Sequence, residues 1–220
     1  MTHYSIWRTP LSTSRSYRSP QRTADAAATR AAIVDAAALL FARDGYAATP
    51  MRAIATEAGV SAPSVHLAGP KSALLLAAFE RTFAGDEGKH SLTERPLMAD
   101  ILGEADPATL LARYVDFIGA ANARSAGIWS ALVAAADVDA LVRAASVDLE
   151  RRRRRDMTLG AQLLVSRGLI AESRADYAAD VLGFLTSPQS YLYFVDESGW
   201  DRARYQAWLA TSIQRLVLTP

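Results

Sequence analysis

The segment Thr49–Lys71 constrains the fold more than any other part of the chain. Thr49 is a good N-cap, and Pro50 suits the first position of the helix that follows, because proline lacks the N–H that would have no partner there. Gly59 can adopt the positive φ that ends a helix, and Ser61 can cap the helix that follows. The dipeptide Gly69-Pro70 then ends this second helix after about two turns. The spacing predicts two short helices joined by a tight turn, which is a helix-turn-helix.

A longer amphipathic helix precedes this motif. The segment Thr29–Arg43 has apolar residues at helical spacing, and Gly45 follows as its stop. The apolar stripe consists of Ile33, Ala36, Ala37, Leu40 and Phe41. We expect this helix to brace the two short ones.

The charge distribution agrees with DNA binding at this end of the chain. In a helix-turn-helix the second helix enters the major groove and the first crosses the phosphate backbone. Residues 1–75 contain eight Lys or Arg and four Asp or Glu, whereas residues 76–220 contain sixteen and nineteen. An excess of positive charge suits a phosphate-facing domain, although a difference of this size also arises by chance.

The composition argues against several other classes of function. The chain has no cysteine, and His3, His66 and His90 are too scattered in sequence to suggest a zinc site. It contains neither a phosphate-binding glycine loop nor a zinc-protease motif. No apolar run approaches the roughly 20 residues that span a bilayer, and the N-terminus lacks the apolar core of a signal peptide. We therefore expect a cytoplasmic protein with no enzyme activity, metal, cofactor or membrane partner.

Residues 1–28 form a predicted disordered basic tail. Arg8, Arg15, Arg18 and Arg22 are spaced among Ser, Thr and Pro without a sustained period. Such an arm could track phosphates or enter the minor groove, or it could be a tail without a function.

The rest of the chain contains further helical patterns. They predict one helix over 71–84 and another from 107 to about 123, with a break at Gly127 before a helix that begins at about 129. A long helix is predicted over 138–166, with Gly168 as its stop. Two more helices are predicted to begin after caps at Ser173 and Asp201. Residues 90–106 are expected to form loops or one short helix. The chain is thus predicted to be all-α, with a DNA-binding domain at 29–75 and a second domain at 76–220.

The predicted helix 138–166 contains five consecutive arginines, Arg151–Arg155. Consecutive helical residues point about 100° apart, so five of them cannot form one strip that faces phosphates. Three interpretations remain open: a solvated or ion-paired face, contact across a dimer interface, and direct contact with DNA.

The second domain has the features of a receptor for a small molecule. Pockets between bundle helices are mostly apolar with a few polar groups. The aromatic candidates for lining such a pocket are Tyr114, Phe117, Trp129, Tyr191 and Phe194. Aromatic residues at helical spacing are also common in plain cores, so ordinary packing is the alternative at each position.

The run Ile54–Ser61, preceded by Phe41 and Gly45-Tyr46, resembles the N-terminal domain of TetR-family transcriptional regulators. The resemblance is strong over residues 31–64. It implies a homodimer formed by the last two helices, a small-molecule effector in the second domain, and a linking helix that opens with a phosphate-contacting lysine, here Lys71. The segment His66–Lys71 departs from the family pattern, because His66 replaces a tyrosine and the segment is one residue short.

Seven residues are the candidates for contact with double-stranded DNA. Thr49, Arg52 and Lys71 are predicted to position phosphates, whereas Ser61, Ala62, Ser64 and His66 are predicted to face the groove. His66 has a second interpretation as part of the small core of the motif. Small side chains offer few base contacts, so DNA shape is expected to contribute to recognition.

The function predicted from these features is that of a ligand-responsive transcriptional regulator. We expect a repressor that leaves a palindromic operator when an apolar small molecule binds, although an activator is also consistent with the sequence. The alternative is a small-molecule-binding protein of the same fold that has lost specific operator binding. Its sequence support is the shortened segment His66–Lys71.

Overall fold

The computed structural model describes residues 20–88 and 91–218, which form an all-α fold. Its helices are α1 (Pro20–Ala48), α2 (Met51–Glu57), α3 (Ala62–Ala68), α4 (Lys71–Ala84), α5 (Pro96–Leu102), α6 (Pro107–Val138), α7 (Ala140–Ser166), α8 (Ala175–Leu185), α9 (Pro188–Tyr191) and α10 (Arg202–Leu216). Short 3₁₀ turns precede α5 and α8, and π-helical turns follow α9 over Leu192–Glu197. Among the described helices, none is both long and apolar enough to cross a membrane.

The helix-turn-helix forms where the sequence predicts it. Gly59 has a φ of 66° in the turn between α2 and α3. The Ser61 hydroxyl accepts a hydrogen bond from the Ser64 N–H and caps α3. Thr49 does not cap α2, because its buried hydroxyl instead donates to the carbonyl of Gly45 at 2.8 Å. This bond holds the end of α1 against the start of α2.

The first helix begins earlier than predicted, at Pro20 rather than Thr29. Residues 20–28 are therefore helical, and the expectation of a disordered segment up to residue 28 is wrong for them. Residues 1–19, which contain Arg8, Arg15 and Arg18, lie outside the described part of the chain. Gly45, with a φ of 78°, breaks the helical path near the end of α1 as expected.

The long helix α6 corrects the predicted break at Gly127. The helix continues through this glycine to Val138, because the neighbouring side chains are buried and packing outweighs the low helix propensity of glycine. A Cβ at Gly127 would lie 3.1 Å from the Ala42 Cβ of α1. The missing side chain thus allows α1 and α6 to approach closely.

Two further caps test the predicted boundaries. Asp201 caps α10 by accepting from the Arg204 N–H at 2.7 Å, as predicted. Ser173 does not cap α8, because it lies inside a 3₁₀ turn and α8 begins at Ala175. The short α5 agrees with the expectation of one short helix between residues 90 and 106.

One apolar core joins the helix-turn-helix to the rest of the protein. Ile33 and Phe41 of α1, Val65 of α3 and Phe79 of α4 belong to the same buried cluster as Trp129 of α6. A second cluster is formed mainly by α6, α8 and α10. Because the first cluster includes residues of α6 and α7, the predicted boundary at residue 75 does not separate two cores. The limits of the two functional domains therefore remain predictions.

Asn122 connects α6 to the junction between α8 and α9. Its side chain is fully buried, and its amide donates to the carbonyls of Thr186 and Ser187 at 3.2 and 3.4 Å. The Thr186 carbonyl lies at the C-terminal end of α8, where a helix has no internal donors. The Ser187 carbonyl also accepts from the Tyr191 N–H of α9 at 3.3 Å.

Replacing this amide by a hydrocarbon should destabilise the fold. We expect Asn122→Leu to lower the free energy of unfolding in urea by about 1–3 kcal/mol, because the Thr186 carbonyl would lose its side-chain donor. Ser130→Ala on the exposed side of α6 should change it by less than about 0.5 kcal/mol. Equal effects of the two substitutions would contradict the assigned role of Asn122.

Candidate functional site

The exposed face of α3 is the first part of the candidate site. Val65 is completely buried and anchors the helix in the first core, whereas Ser61, Ala62 and His66 are exposed. The side chain of His66 therefore points away from the core of the motif, which favours the groove interpretation of this residue. Ser64 is half-buried, and its hydroxyl lies 2.8 Å from the Ser61 hydroxyl.

The structure adds two residues to the predicted groove set. Pro63 is exposed, and Leu67 exposes 89% of its surface at the end of α3. An exposed leucine next to His66 offers an apolar contact of the kind that thymine methyl groups make. The helical positions of Pro63 and Leu67 relative to buried Val65 could have revealed both from the sequence.

The predicted phosphate contacts divide into three cases. Arg52 is exposed on α2 and is available to a phosphate. Thr49 is 1% exposed and its hydroxyl is used inside the protein, so its side chain is not available for such a contact. Lys71 is half-buried at the start of α4.

Lys71 is held against a tyrosine of α1. Its ammonium lies 4.4 Å from the centroid of the Tyr46 ring and donates a long hydrogen bond to the Ala47 carbonyl at 3.5 Å. The Tyr46 hydroxyl donates to Asp139 at 2.8 Å, and Asp139 caps the first turn of α7. The lysine implied by the family resemblance therefore has a defined position rather than that of an isolated surface side chain.

Arg30 fixes the C-terminal end of α3. Its guanidinium donates to the Ala68 carbonyl at 2.7 Å and to the Glu87 carboxylate at 2.8 Å. The first bond satisfies a carbonyl in the last turn of α3, and the second connects α1 to the segment after α4. The short segment between His66 and Lys71 is thus firmly held, and Gly69 within it has a φ of 134°.

An apolar cavity lies between α5, α6, α7, α8 and α10. Met98, Leu111, Gly160, Leu182 and Ile213 are among its lining residues. Three polar side chains also line it, the carboxylate of Asp156, the phenol of Tyr114 and the hydroxyl of Thr93. Burial raises the pKa of Tyr114 to about 12, so the phenol keeps its proton at neutral pH and can donate a hydrogen bond.

A more polar cavity lies beside the first and extends to α4. Asp156 and Met157 line both cavities, and Glu80 and Arg152 line the second one. Glu80 and Arg152 form an ion pair at 2.7 Å in which both side chains are largely buried. Glu80 also accepts from the Gly88 N–H at 3.2 Å, so one carboxylate connects α7 with the segment that follows α4.

The five aromatic residues predicted to form a ligand site do not lie together. Of them, Tyr114 lines the apolar cavity. Trp129 packs on Phe79 at 5.3 Å between ring centroids in the first core. Phe117 contacts Phe83. Tyr191 and Phe194 both contact Tyr205, in a cluster of rings that also includes Trp200 and Trp208. Core packing, the stated alternative, accounts for Trp129 and Tyr191, which are buried.

The arginine run divides between inward and outward positions. Arg152 pairs with Glu80, and the Arg153 guanidinium pairs with Glu150 and lies 5.9 Å from the Trp129 ring. Arg151, Arg154 and Arg155 are exposed. The structure therefore favours an ion-paired and solvated face over a strip that faces DNA.

Comparisons with known proteins agree with this arrangement. Residues 33–78 match the family described as bacterial regulatory proteins, tetR family. A candidate transcriptional regulator from Saccharomonospora viridis, in complex with choline, shares the fold with a TM-score of 0.65 at 19% identity, over 88% of this chain and 100% of that one. A candidate transcriptional regulator from Pseudomonas aeruginosa PAO1 has a TM-score of 0.59 at 18% identity, over 89% and 90% of the two chains. No curated protein matches the chain.

The matched residues 33–78 include α2, α3 and most of α4, with the exposed face of α3 inside them. The all-α architecture of the remaining helices is shared with the two solved structures. The helix-turn-helix therefore lies in a segment that matches the tetR family of bacterial regulatory proteins, and the chain shares its fold with two solved structures of candidate transcriptional regulators.

Proposed function

We propose that the protein is a ligand-responsive transcriptional repressor that binds a palindromic operator. The exposed face of α3, held on the core by Val65 and at its C-terminal end by Arg30, is the main observation that supports operator binding. A rigid helix that presents exposed side chains is what insertion into a major groove requires. Arg52 and Lys71 supply positive charge on either side of α3 in sequence.

Footprinting on the DNA upstream of the gene tests this proposal. With excess nonspecific duplex at near-physiological salt, we expect one protected site with approximate two-fold symmetry. A weak, strongly salt-dependent interaction without a preferred site would support the alternative, a ligand-binding protein that has lost its operator.

Leu67 provides a sharper test of base recognition. We expect Leu67→Ala to weaken binding to the protected site by about fivefold, through lost apolar contact, with little effect on nonspecific duplex. Leu67 is exposed, so the substitution should leave the free energy of unfolding unchanged. Leu39→Ala, at an exposed leucine of α1, is the matched control and should leave the affinity unchanged. Equal losses on both duplexes would remove Leu67 from base recognition.

The apolar cavity is the proposed effector site. Its lining is almost entirely hydrocarbon, with the Tyr114 phenol and the Asp156 carboxylate as polar groups that could orient a ligand. The likeness to a protein in complex with choline adds support for a small-molecule site in this fold. The shared lining residues Asp156 and Met157 place the cavity beside the pair formed by Arg152 and Glu80. A ligand that displaces α7 would act on α4 through that pair.

A side chain introduced at Gly160 of α7 would fill part of the cavity. A Cβ at this position would meet nothing within 4 Å, and the residue lines the cavity. We expect Gly160→Leu to weaken binding of the neutral fluorescent probe N-phenyl-1-naphthylamine by about tenfold while DNA affinity stays unchanged. Gly160→Ala is the control: it should keep most of the probe binding and raise stability by about 1 kcal/mol, as expected for a helix interior. Unchanged probe binding in Gly160→Leu would contradict this assignment.

We also propose a homodimer formed through α8 and α10, the last two long helices. Tyr177 and Phe184 are exposed by 50% and 66% on α8. Ala203, Ala207 and Thr211 lie four residues apart on the exposed side of α10, where small side chains allow helices to pack closely. Two-fold symmetry would place two copies of α3 about 34–36 Å apart along the duplex.

A charge at the centre of this face should separate the protomers. We expect Phe184→Arg to convert a dimer into a monomer in sedimentation analysis, because two buried arginines would face each other across the two-fold axis. Leu39→Arg introduces the same charge at an exposed leucine of α1 and should leave the dimer intact. A dimeric Phe184→Arg protein would show that the interface lies elsewhere.

A further inference from the structure

We propose that Asp139 is a positioning residue for DNA binding, which acts through Tyr46 on the phosphate-contacting Lys71. The inference rests on the proposed operator binding and adds to it a residue outside the helix-turn-helix. Asp139 lies between α6 and α7, far along the chain from α1 and α4, and it forms the end of a continuous set of contacts.

The contacts follow one another without a gap. The Asp139 carboxylate uses one oxygen to accept the Leu141 and Val142 N–H groups at 2.9 and 3.3 Å, which caps α7. Its other oxygen accepts from the Tyr46 hydroxyl at 2.8 Å. The Lys71 ammonium lies over the face of the Tyr46 ring, 4.4 Å from the ring centroid.

Each contact limits the freedom of the next. The Tyr46 ring also packs on Phe41 at 5.7 Å between centroids, so the ring and the hydroxyl are both held. A fixed ring face attracts a cation and restricts the flexible lysine side chain to one side of α4. The long hydrogen bond from Lys71 to the Ala47 carbonyl is too weak to do this alone. The orientation of Lys71 therefore depends on Tyr46, and that of Tyr46 on Asp139.

The charges agree with this dependence. The Tyr46 hydrogen bond is the main cause that lowers the pKa of Asp139, and the Lys71 ammonium contributes in the same direction. Burial lowers the pKa of Lys71, and the negative charge of Asp139 opposes that shift. Asp139 thus helps to keep the ammonium charged as well as oriented.

The arrangement also gives the effector region control over a phosphate contact. Asp139 caps α7, the helix that carries Gly160, Asp156 and Met157 along the apolar cavity. If α7 shifts relative to α1, the bond between Asp139 and Tyr46 breaks, and Lys71 loses its fixed support. This control does not require any change inside the helix-turn-helix itself.

The test uses substitutions that remove single groups from the full-length protein. Tyr46→Phe removes the hydroxyl and leaves the ring. Asp139→Ser keeps an oxygen able to cap α7 and removes the one that faces Tyr46. Tyr193→Phe, at an exposed tyrosine of the turns after α9, is the matched control for loss of a phenol.

The first readout is affinity for a 30-base-pair duplex of arbitrary sequence at low salt. We expect Tyr46→Phe and Asp139→Ser each to weaken binding about three- to tenfold, and Tyr193→Phe to leave it unchanged. In a Lys71→Met background the same two substitutions should have less than about a twofold effect, because the contact they position is gone. Equal losses with and without Lys71 would overturn the inference, since they would indicate a general structural effect.

The second readout does not require DNA. The sequence contains two lysines, Lys71 and Lys89, so reductive ¹³C-methylation gives lysine NMR signals that a Lys89→Arg variant assigns. We expect the Lys71 signal to carry an upfield shift from the Tyr46 ring, and this shift to diminish in Asp139→Ser. An unchanged signal overturns the inference whatever the affinities are. If no form of the protein binds duplex, operator binding fails as a function, while this signal still decides whether Asp139 positions Lys71.

Discussion

The packing of Phe79 on Trp129 joins the two functional regions, and most of the architecture depends on it. Phe79 lies on α4 and Trp129 in the middle of α6, with their ring centroids 5.3 Å apart. Both belong to the core that also buries one face of α1 and the inner side of α3. Aromatic contacts of this size contribute much of the stability of a core. The helix-turn-helix is therefore packed directly on α6 instead of being joined to it by a flexible linker.

Polar side-chain contacts connect the helices around this shared core in specific pairs. The pair formed by Glu80 and Arg152 is largely buried, and such pairs add little net stability because desolvation offsets the attraction. What the pair does provide is a specific link, because breaking one partner leaves a buried charge. Glu80 also holds the Gly88 N–H, and the neighbouring Glu87 holds Arg30 at the end of α3. A movement that starts at α7 can thus reach the C-terminal end of α3 by two routes, through Arg30 and through Lys71.

The sequence predicts local features well and long-range arrangement poorly. The turn at Gly59, the cap at Ser61 and the bounds of α4 depend on neighbouring residues, and all three are found as predicted. Gly127 misled the prediction, because its role in α6 is set by contact with Ala42, far away in sequence. Thr49 is a good helix cap by residue type, yet the fold uses its hydroxyl to close the turn with Gly45. Both errors arise where tertiary contacts outweigh local preference.

The same distinction explains why the candidate DNA surface was predicted more fully than the candidate ligand site. A recognition helix is one contiguous segment, so its exposed face follows from the position of one buried residue, Val65. A cavity combines residues from five helices, and aromatic character alone does not identify which of them meet; Tyr114 lines the cavity, whereas Trp129 is part of a core. The residues that line it best are aliphatic and resemble any core residue in the sequence.

The chemistry of α3 explains why a single lysine can matter for the whole complex. Its exposed side chains are one imidazole, a serine hydroxyl and small or apolar groups, so the helix offers few directional contacts to bases. In the proposed complex with DNA, affinity then comes largely from phosphate contacts, which are few for one protomer and double in the proposed symmetric dimer. With so few contacts, displacement of Lys71 in both protomers removes a considerable share of them at once. In the proposed coupling, a small movement at Asp139 therefore changes DNA affinity without any distortion of α3.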